Sequence, residues 1–172
     1  TITFNTHNNN ICIFSDIKIG NDTIRVYNAH LQSVNFGHTN YKFIENPFPD
    51  EKTDEVETSK SILRQLKRSF VKRAKQSDTI VRHIASSAYP VIVCGDFNDT
   101  PFSYTYHSFN KNLNDAFMES GNGTGITYFG IFIHCRIDYI FYSRNLSSSE
   151  YYVLPVKLSD HYPVSCYIKI KN

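Results

Sequence analysis

The middle of the chain places an acid and an amide directly after an apolar segment. The run 91–94 is predicted to be a strand, and Gly95, Asp96 and Asn98 follow it. Alternate residues of an extended chain point to the same side, so Asp96 and Asn98 can meet one phosphate or one metal ion. Carboxylate and amide oxygens are hard ligands that suit Mg²⁺, Mn²⁺ or Ca²⁺. The same residue types also form turns, so this segment alone leaves a turn and a site equally open.

A second candidate group lies near the end of the chain, where Asp160 and His161 precede an apolar strand. A histidine beside a bound phosphate can act as a general base toward water, or as a cation that stabilises the transition state. Asp160 can bind a metal or orient the water. An isolated Asp-His pair is more often part of a surface turn, so the pair needs support from other residues.

Two further polar residues lie in or at the end of apolar strands. Asp138 stands between Ile137 and Tyr139, where a charge is costly unless it is paired. A histidine partner would remove that cost and orient the imidazole. Backbone groups or Arg136 would satisfy the carboxylate equally well. His30 ends another apolar strand, and a lone histidine there is more often structural.

The elements that must position these residues alternate between strands and helices. Residues 10–19 and 23–31 predict a hairpin around the turn 20–22, whose residue types tolerate positive φ. Residues 32–57 are polar and predict a long surface loop. Further strands are predicted at 136–141 and 165–170, with a short helix near 103–109. This pattern predicts a mixed α/β fold.

One strong helix is predicted between the loop and the strand 91–94. Apolar residues recur at three- and four-residue steps from Ile62 to Ile84, Thr58 or Ser59 can cap the start, and 86–90 close it. The other face carries a run of basic residues: Arg64, Lys67, Arg68, Lys72, Arg73 and Lys75. A solvated helix face explains such a run most simply, and a phosphate-facing patch is the alternative.

The bulk properties are those of one globular domain. The chain has 172 residues and a formal net charge of +2, which by itself indicates neither nucleic acid nor membrane as a partner. No stretch is apolar enough to span a membrane. The four cysteines lack metal-site spacing, which favours free thiols and a reducing compartment such as the cytoplasm. Because the chain begins with Thr1, we expect the natural N-terminus, with any targeting or anchoring segment, to lie upstream.

In chain order, four motifs resemble those of the endonuclease/exonuclease/phosphatase superfamily, whose fold is that of deoxyribonuclease I. They are Asn28-Ala29-His30-Leu31, Gly95-Asp96-Phe97-Asn98-Asp99-Thr100-Pro101, Arg136-Ile137-Asp138-Tyr139-Ile140-Phe141 and Ser159-Asp160-His161-Tyr162-Pro163-Val164. The resemblance extends from about residue 10 to 170. It implies an α/β fold, a four-layer α/β/β/α sandwich with one active site at the strand ends between two sheets. Residues 1–172 would form a single partial domain, incomplete at the N-terminus.

The resemblance also implies a role for each polar residue. Asp96 and Asn98 would orient the attacking water and contact the phosphate. His161 would be the catalytic histidine at the scissile phosphate. Asp160, together with Asp96, would bind the metal, Mg²⁺ or Mn²⁺.

The remaining motif residues would assist. His30 would touch the phosphate and take part in catalysis, with Asn28 as a further substrate-binding residue. Asp138 would support one of the histidines. The resemblance thus implies a metal-dependent phosphoester hydrolase, phosphodiesterase- or endonuclease-like, for which nucleic acid is a possible substrate. A phosphomonoesterase or phospholipid head-group hydrolase of the same fold, or an inactive binding module, is the alternative.

The chain departs from the family pattern at its start. The family places an Asn and a metal-binding Glu upstream of the Asn-x-His-Leu motif, and this sequence begins after both positions. We therefore expect an incomplete metal site. We also expect an apolar sheet face to be left uncovered, which would favour self-association or a partner.

Overall fold

In a computed structural model, the structure describes residues 1–4, 10–45, 55–130 and 134–171. The first half of the chain forms four strands and two helices. They are β1 (Ile2–Thr3), β2 (Ile11–Ile19), β3 (Asp22–His30), α1 (His38–Glu45), α2 (Glu55–Ala85) and β4 (Val91–Asp96).

The second half adds short helices and further strands. They are α3 (Tyr104–Asn110), β5 (Leu113–Asp115), α4 (Ala116–Ser120), β6 (Tyr128–Phe129), β7 (His134–Cys135), β8 (Asp138–Ser143), β9 (Leu146–Val153) and β10 (Val164–Ile170). The strand predicted at 136–141 is confirmed with a shift of two residues, and that predicted at 165–170 is confirmed almost unchanged.

The main sheet has six strands in the order β1-β2-β3-β4-β8-β5. The predicted hairpin is confirmed, because β2 and β3 pair antiparallel with Ile17 opposite Ile24. β3 and β4 run parallel, and β8 pairs antiparallel with β4. The C-terminal edges of β3 and β4 therefore meet the start of β8 at one end of the sheet. Among the described residues, β9 and β10 form a second, two-stranded sheet.

The two faces of the main sheet pack against different layers. One face, around Tyr27, Val93 and Phe141, packs on helices α2 and α3 through Ile80 and Phe109. The opposite face packs on the two-stranded sheet through a second cluster: Ile24, Ile140, Tyr142, Leu146 and Tyr151, with Val153, Val164 and Cys166 beside them. The expected mixed α/β class is confirmed.

Helix α2 is longer than predicted, and its buried side is different. It begins at Glu55 rather than at Thr58 or Ser59. Arg73, assigned to the basic solvated face, is instead 1% exposed. It lies on a stripe that is largely polar and buried: Ser69, Arg73, Gln76, Ser77 and Ile80. The assignment was wrong because this stripe carries polar residues that hydrogen-bond to the sheet ends, which apolar periodicity does not detect.

The segment 32–57 is not a plain loop, since it contains α1 at His38–Glu45. In the first turn of this helix, the backbone N–H of Tyr41 donates to the Gly37 carbonyl at 3.0 Å. Asn40 of α1 is buried and donates to Ser61 of α2 at 3.2 Å. The part of the predicted loop at 46–54 lies outside the described residues.

Strand β2 leaves an apolar face exposed to solvent. Ile11, Ile13, Ile17 and Ile19 point to the same side and are 43–54% exposed. They pair with β3 residues on the face that elsewhere packs on β9 and β10. Self-association through this face remains a prediction. The surface that would associate is formed by these four isoleucines.

The cysteines and helices of the described chain bear on two further expectations. The four cysteines are free. Burial raises the pKa of Cys12 to about 12, so this thiol stays protonated at neutral pH.

In the part of the chain that the structure describes, no helix combines the length and apolarity needed to cross a membrane.

Candidate active site

A row of polar residues crosses the main sheet at one end. His30, the last residue of β3, is in register with Asp96, the last residue of β4. Asp96 in turn lies opposite Asp138, the first residue of β8. Side chains in register on neighbouring strands point to the same face, so the sequence motifs meet on the face directed toward the second sheet.

His161 completes this row from the loop before β10. Its Nδ1 lies 2.9 Å from Oδ2 of Asp138, and the two side chains are 29% and 16% exposed. Arg136 pairs instead with Asp115 at 2.6 Å. Of the partners left open for Asp138, the histidine is therefore the one present. Ser159 holds the loop by accepting from the His161 backbone N–H at 3.0 Å.

The surroundings of His161 favour its charged form. Burial by itself lowers the pKa of the imidazole. The hydrogen bond and charge of Asp138, with the charges of Asp96 and Asp160, outweigh burial and raise the pKa above the ordinary value of 6.5. His161 thus holds a proton at higher pH than a free histidine, while Asp138 fixes the orientation of its ring.

Asp96 and Asn98 are locked together. The backbone N–H of Asn98 donates to Oδ1 of Asp96 at 2.7 Å, and its side-chain amide donates to Oδ2 at 2.9 Å. That amide also donates to the Leu31 carbonyl at 3.1 Å. Asn98 has a φ of 52°, a left-handed conformation that Asn tolerates better than most residues. The predicted turn is therefore present, and it holds the two side chains that the sequence proposes as site residues.

Gly95 is required for this close packing. Its φ is +137°, and a Cβ atom there would lie 1.9 Å from the carbonyl oxygen of Ala29. Any side chain at this position would push β4 away from β3, and would separate Asp96 from His30.

Asp96 is held in an unusual electrostatic environment. Burial, followed by the negative charge of Asp138, raises its pKa to about 6. The Asn98 N–H and the charges of His161 and His30 lower the pKa, but by less. A carboxyl group poised near neutral pH at the end of a strand is typical of functional sites.

Asn28 and Asp160 lie at the periphery, and His30 makes a long contact with Asp96. Nε2 of His30 is 3.7 Å from Oδ2 of Asp96, too long for a hydrogen bond. Asn28 is exposed on the same face, two residues before His30. Asp160 is exposed, and its backbone carbonyl accepts from Phe129 at 2.8 Å. The structure brings His30, Asp96, Asn98, Asp138 and His161 together and leaves Asn28 and Asp160 at the edge.

Sequence reasoning missed the residues that hold the pair in place. Thr127 is fully buried, and its Oγ1 accepts from the backbone N–H groups of Ile137 and Asp138, each at 3.1 Å. Its carbonyl accepts from the Tyr162 N–H at 2.7 Å. The ring of Tyr128 packs 4.9 Å from that of His161. In the sequence, the position of Thr127 before Tyr128 and Phe129 is the one signal for this role, and it is weak.

The described residues do not by themselves make up a divalent-metal site. Among residues 1–4, 10–45, 55–130 and 134–171, no three His, Cys, Asp or Glu side chains cluster as metal ligands. Asp96 and Asp138 do place two carboxyl groups side by side, one of them with a raised pKa. Nearby cations relieve such repulsion, but a complete coordination shell needs further donors.

A small cavity opens beside the His-Asp pair. Its volume is about 250 Å³, and it lies between the end of the main sheet and the start of β10. It is lined by Gly95, Asp138, Ser159, His161, Tyr162, Pro163 and Val164. The reacting end of a small substrate can therefore contact both members of the pair.

The main sheet therefore carries a His-Asp pair beside Asp96 and Asn98 at one end. A family model described as Endonuclease/Exonuclease/phosphatase family matches residues 10–161. The chain therefore belongs to the endonuclease/exonuclease/phosphatase family. No curated protein matches it by sequence.

Solved structures share the deoxyribonuclease I-like fold expected from the motifs. The endonuclease/exonuclease/phosphatase from Bacteroides vulgatus is 19% identical, with a TM-score of 0.65, covering 94% of this chain and 56% of that one. The mannosyl-6-phosphatase from Bacteroides thetaiotaomicron is 20% identical, with a TM-score of 0.59, covering 94% and 57%. TDP2 from D. rerio, complexed with single strand DNA product, is 13% identical, with a TM-score of 0.60, covering 96% and 64%. This chain thus spans under two thirds of the length of these structures.

Proposed function

We propose that the protein is a metal-dependent phosphoester hydrolase, using the row of polar residues at the sheet end. The observation that carries the proposal is the 2.9 Å contact of His161 with Asp138, beside the buried carboxyl group of Asp96. Family membership supports phosphoester cleavage as the reaction type. The similar structures include a mannosyl-6-phosphatase and a TDP2 complexed with single strand DNA product, which are compatible with either a phosphomonoester or a phosphodiester substrate.

His161 acts at the scissile phosphate. Asp138 fixes its Nδ1, which leaves Nε2 for the substrate. The raised pKa favours the cationic imidazole, which stabilises the negative charge that develops on the phosphoryl oxygens or donates a proton to the leaving oxygen. General acid–base assistance of this kind contributes about 10²- to 10⁴-fold to a rate.

Asp96 and Asn98 act on the attacking water. The Asp96 carboxyl group is ionised above pH about 6 and then accepts a proton from water. Asn98 holds Asp96 in place through two hydrogen bonds, one from its backbone N–H and one from its side-chain amide. The second N–H of that amide donates to the Leu31 carbonyl, and Asn98 would contact the phosphate by exchanging this bond. His30, at the same edge, adds a second contact to the phosphate, with Asn28 beyond it.

Mg²⁺ or Mn²⁺ is the cofactor we propose, and such a metal supplies charge stabilisation at the phosphoryl oxygens. Asp96 and Asp160 are the proposed protein donors, with carboxylate chemistry that suits either ion. These two residues do not complete a coordination shell, so water, substrate oxygens or further residues would supply the remaining donors. Whether hydrolysis depends on added Mg²⁺ or Mn²⁺ tests the proposed cofactor separately from the proposed catalytic residues.

The test is hydrolysis measured with Mg²⁺, with Mn²⁺ and with EDTA. The substrates are plasmid DNA, abasic-site DNA, inositol polyphosphates, a sugar phosphate and sphingomyelin. Where the remaining metal donors are supplied, we expect one substrate class to be cleaved, and only with the ion. His161→Asn should lower turnover by about 10²-fold or more. His107→Asn, on the outer helix α3, is the matched control and should leave turnover unchanged.

Two results would overturn the proposal. Wild-type turnover in His161→Asn would remove the His-Asp pair from the reaction. Binding of one of these phosphoesters without hydrolysis, by a protein whose fold and metal supply are verified, would identify a binding module instead.

A further inference from the structure

The first half of α2 extends past the end of the main sheet. The buried residues of α2 begin only at Ser69, which donates to the Ser33 carbonyl just beyond β3. Further along the helix, His83 reaches Tyr27 inside β3. α2 therefore runs antiparallel to β3. At 1.5 Å per residue, its segment 55–68 extends about 20 Å beyond the strand end.

This projection lies at the same end of the sheet as the candidate site. His30 and Asp96 are the last residues of β3 and β4, and α2 leaves the sheet just beyond them. We call residues 55–70 the α2 arm. Helix α1 packs against it, through the hydrogen bond from Asn40 to Ser61.

The α2 arm carries an exposed apolar stripe. Val56, Leu63 and Phe70 follow one another at seven-residue steps, so they lie on one face of the helix. They are 62%, 64% and 48% exposed. Isolated exposed apolar residues are ordinary, but three in line on a projecting helix form a surface suited to an apolar partner.

Cations accompany the stripe. Lys60 and Lys67 lie between its apolar residues, each four positions after Val56 or Leu63, and Arg64 and Arg68 flank it. Among the described residues, Lys67 and Arg68 make no hydrogen bond or ion pair. Lys60 and Arg64 contact the exposed Glu57 at 2.8 and 3.8 Å. The stripe therefore presents apolar and positive groups together.

We propose that the α2 arm docks the protein on an anionic lipid surface. Val56, Leu63 and Phe70 would enter the boundary between head groups and acyl chains, and the four cations would meet the lipid phosphates. A nucleic-acid backbone would match the cations but would leave the aliphatic side chains without a partner. A partner helix would bury the stripe but would also have to desolvate Lys60 and Lys67. The anionic lipid surface accommodates both groups and requires no catalytic activity.

The experiment is cosedimentation of the whole chain with vesicles. We expect binding to vesicles of phosphatidylcholine mixed with phosphatidylserine, little binding to phosphatidylcholine alone, and weaker binding as salt is added. The double variant Lys60→Gln/Lys67→Gln should weaken partitioning by about 30-fold. Leu63→Ser should weaken it by about 10-fold, because one apolar side chain no longer enters the membrane.

A matched control removes the same charge elsewhere. Lys18→Gln/Lys169→Gln changes two exposed lysines outside the α2 arm and should leave vesicle binding intact. Each variant should retain wild-type turnover on a soluble phosphoester such as bis(p-nitrophenyl) phosphate. A failure of docking and a failure of the proposed hydrolase therefore give different results.

Three outcomes would overturn the proposal. The first is no binding of the wild-type chain to the mixed vesicles. The second is equal loss of binding in the control and in Lys60→Gln/Lys67→Gln. The third is binding of single-stranded polynucleotide, unaffected by Leu63→Ser, without binding to vesicles, which would make the α2 arm a nucleic-acid contact.

Discussion

Asp96 and Asp138 lie opposite each other on β4 and β8, at the end of the main sheet. Asp138 is hydrogen-bonded to His161 at 2.9 Å, whereas the histidine nearest to Asp96 in the described part of the chain is His30, at 3.7 Å. One carboxylate is therefore paired, and the other is held in place by amide groups while its pKa is raised to about 6. Asp138 therefore orients a histidine, whereas Asp96 can accept a proton.

Asp96→Asn should stabilise the protein while abolishing turnover. Between pH 3.8, the ordinary pKa, and about 6, folded Asp96 keeps a proton that the unfolded chain releases. The free energy of unfolding therefore falls as pH rises from 3.8 to about 6. Above this range, the charged Asp96 destabilises the folded protein by the full amount. Removing the charge should recover on the order of 1–3 kcal/mol at pH 8 and nothing below about pH 4.

Urea unfolding at several pH values, without metal, measures this effect. Asp22→Asn, at an exposed position in the hairpin, is the control. The difference between its free energy of unfolding and that of wild type should not change over the same pH range. A variant at Asp96 that is less stable at pH 8 than wild type would show that the carboxylate contributes to folding rather than costing stability.

Asp138→Asn should lower the pKa of His161. Burial already lowers that pKa, and the hydrogen bond and charge of Asp138 are the main causes that raise it. Because an asparagine supplies no charge, the imidazole should lose its proton at lower pH, and turnover should fall by about 10²- to 10⁴-fold. Histidine ring protons followed by NMR in EDTA report the titration directly. An unchanged His161 titration, with His107 as internal reference, would contradict the pairing.

Thr127 should act as a positioning residue for the same pair. Its hydroxyl oxygen accepts from the backbone N–H of Asp138, and its carbonyl accepts from Tyr162, next to His161. Thr127→Val keeps the shape but leaves two buried donors unsatisfied, which should cost about 1–3 kcal/mol of stability. Thr127→Ser retains the acceptor and serves as the rescue variant.

The readout that separates positioning from stability is the His161 titration in the folded protein. In Thr127→Val it should move in the direction of Asp138→Asn, with a lower kcat and little change in KM. In Thr127→Ser it should stay at the wild-type position. A valine variant that is merely less stable, with a wild-type titration and kcat, would reduce Thr127 to a structural role.

The sequence allowed the strand ends near His30 and Asp96 to be predicted, because polar residues after apolar runs mark where a sheet stops. Asp138 was expected inside its strand and is instead its first residue. The opposition of Asp96 and Asp138 depends on register, which no local pattern in these segments determines. Strand β9 was missed because Leu146–Val153 is rich in serine and shows no clear alternation. Its burial comes from contacts with distant residues. Helix α1 was missed for a similar reason, since its buried residue is polar.

Arg73 shows the same limit and gives a sharp test. Its guanidinium lies 3.0 Å from Asp99, and the two side chains are 2% and 5% exposed. It also donates to the Gln32 carbonyl at 2.8 Å. Arg73→Met should destabilise the protein by about 3–5 kcal/mol, because the Asp99 charge is left buried without a partner. Arg68→Met, five residues earlier and exposed, should change stability by about 0.5 kcal/mol or less.

The double variant Arg73→Met/Asp99→Asn separates the two contributions of this pair. If the cost lies in the unpaired charge, the second substitution should restore much of the stability in urea unfolding. If the double variant is no more stable than Arg73→Met, the hydrogen bond to Gln32 is the more important contact.

The exposed isoleucines of β2 should drive self-association. Ile11, Ile13, Ile17 and Ile19 form one apolar face, and monomeric proteins rarely leave such a contiguous surface open. We expect the chain to associate in a concentration-dependent manner in sedimentation velocity. Ile13→Lys/Ile17→Lys should shift the midpoint to at least about 10-fold higher concentration. Met118→Lys, 69% exposed on α4, is the control for an added charge elsewhere. A wild-type chain that stays monomeric at high concentration would contradict the prediction, because a face of four isoleucines would then remain in water without a partner.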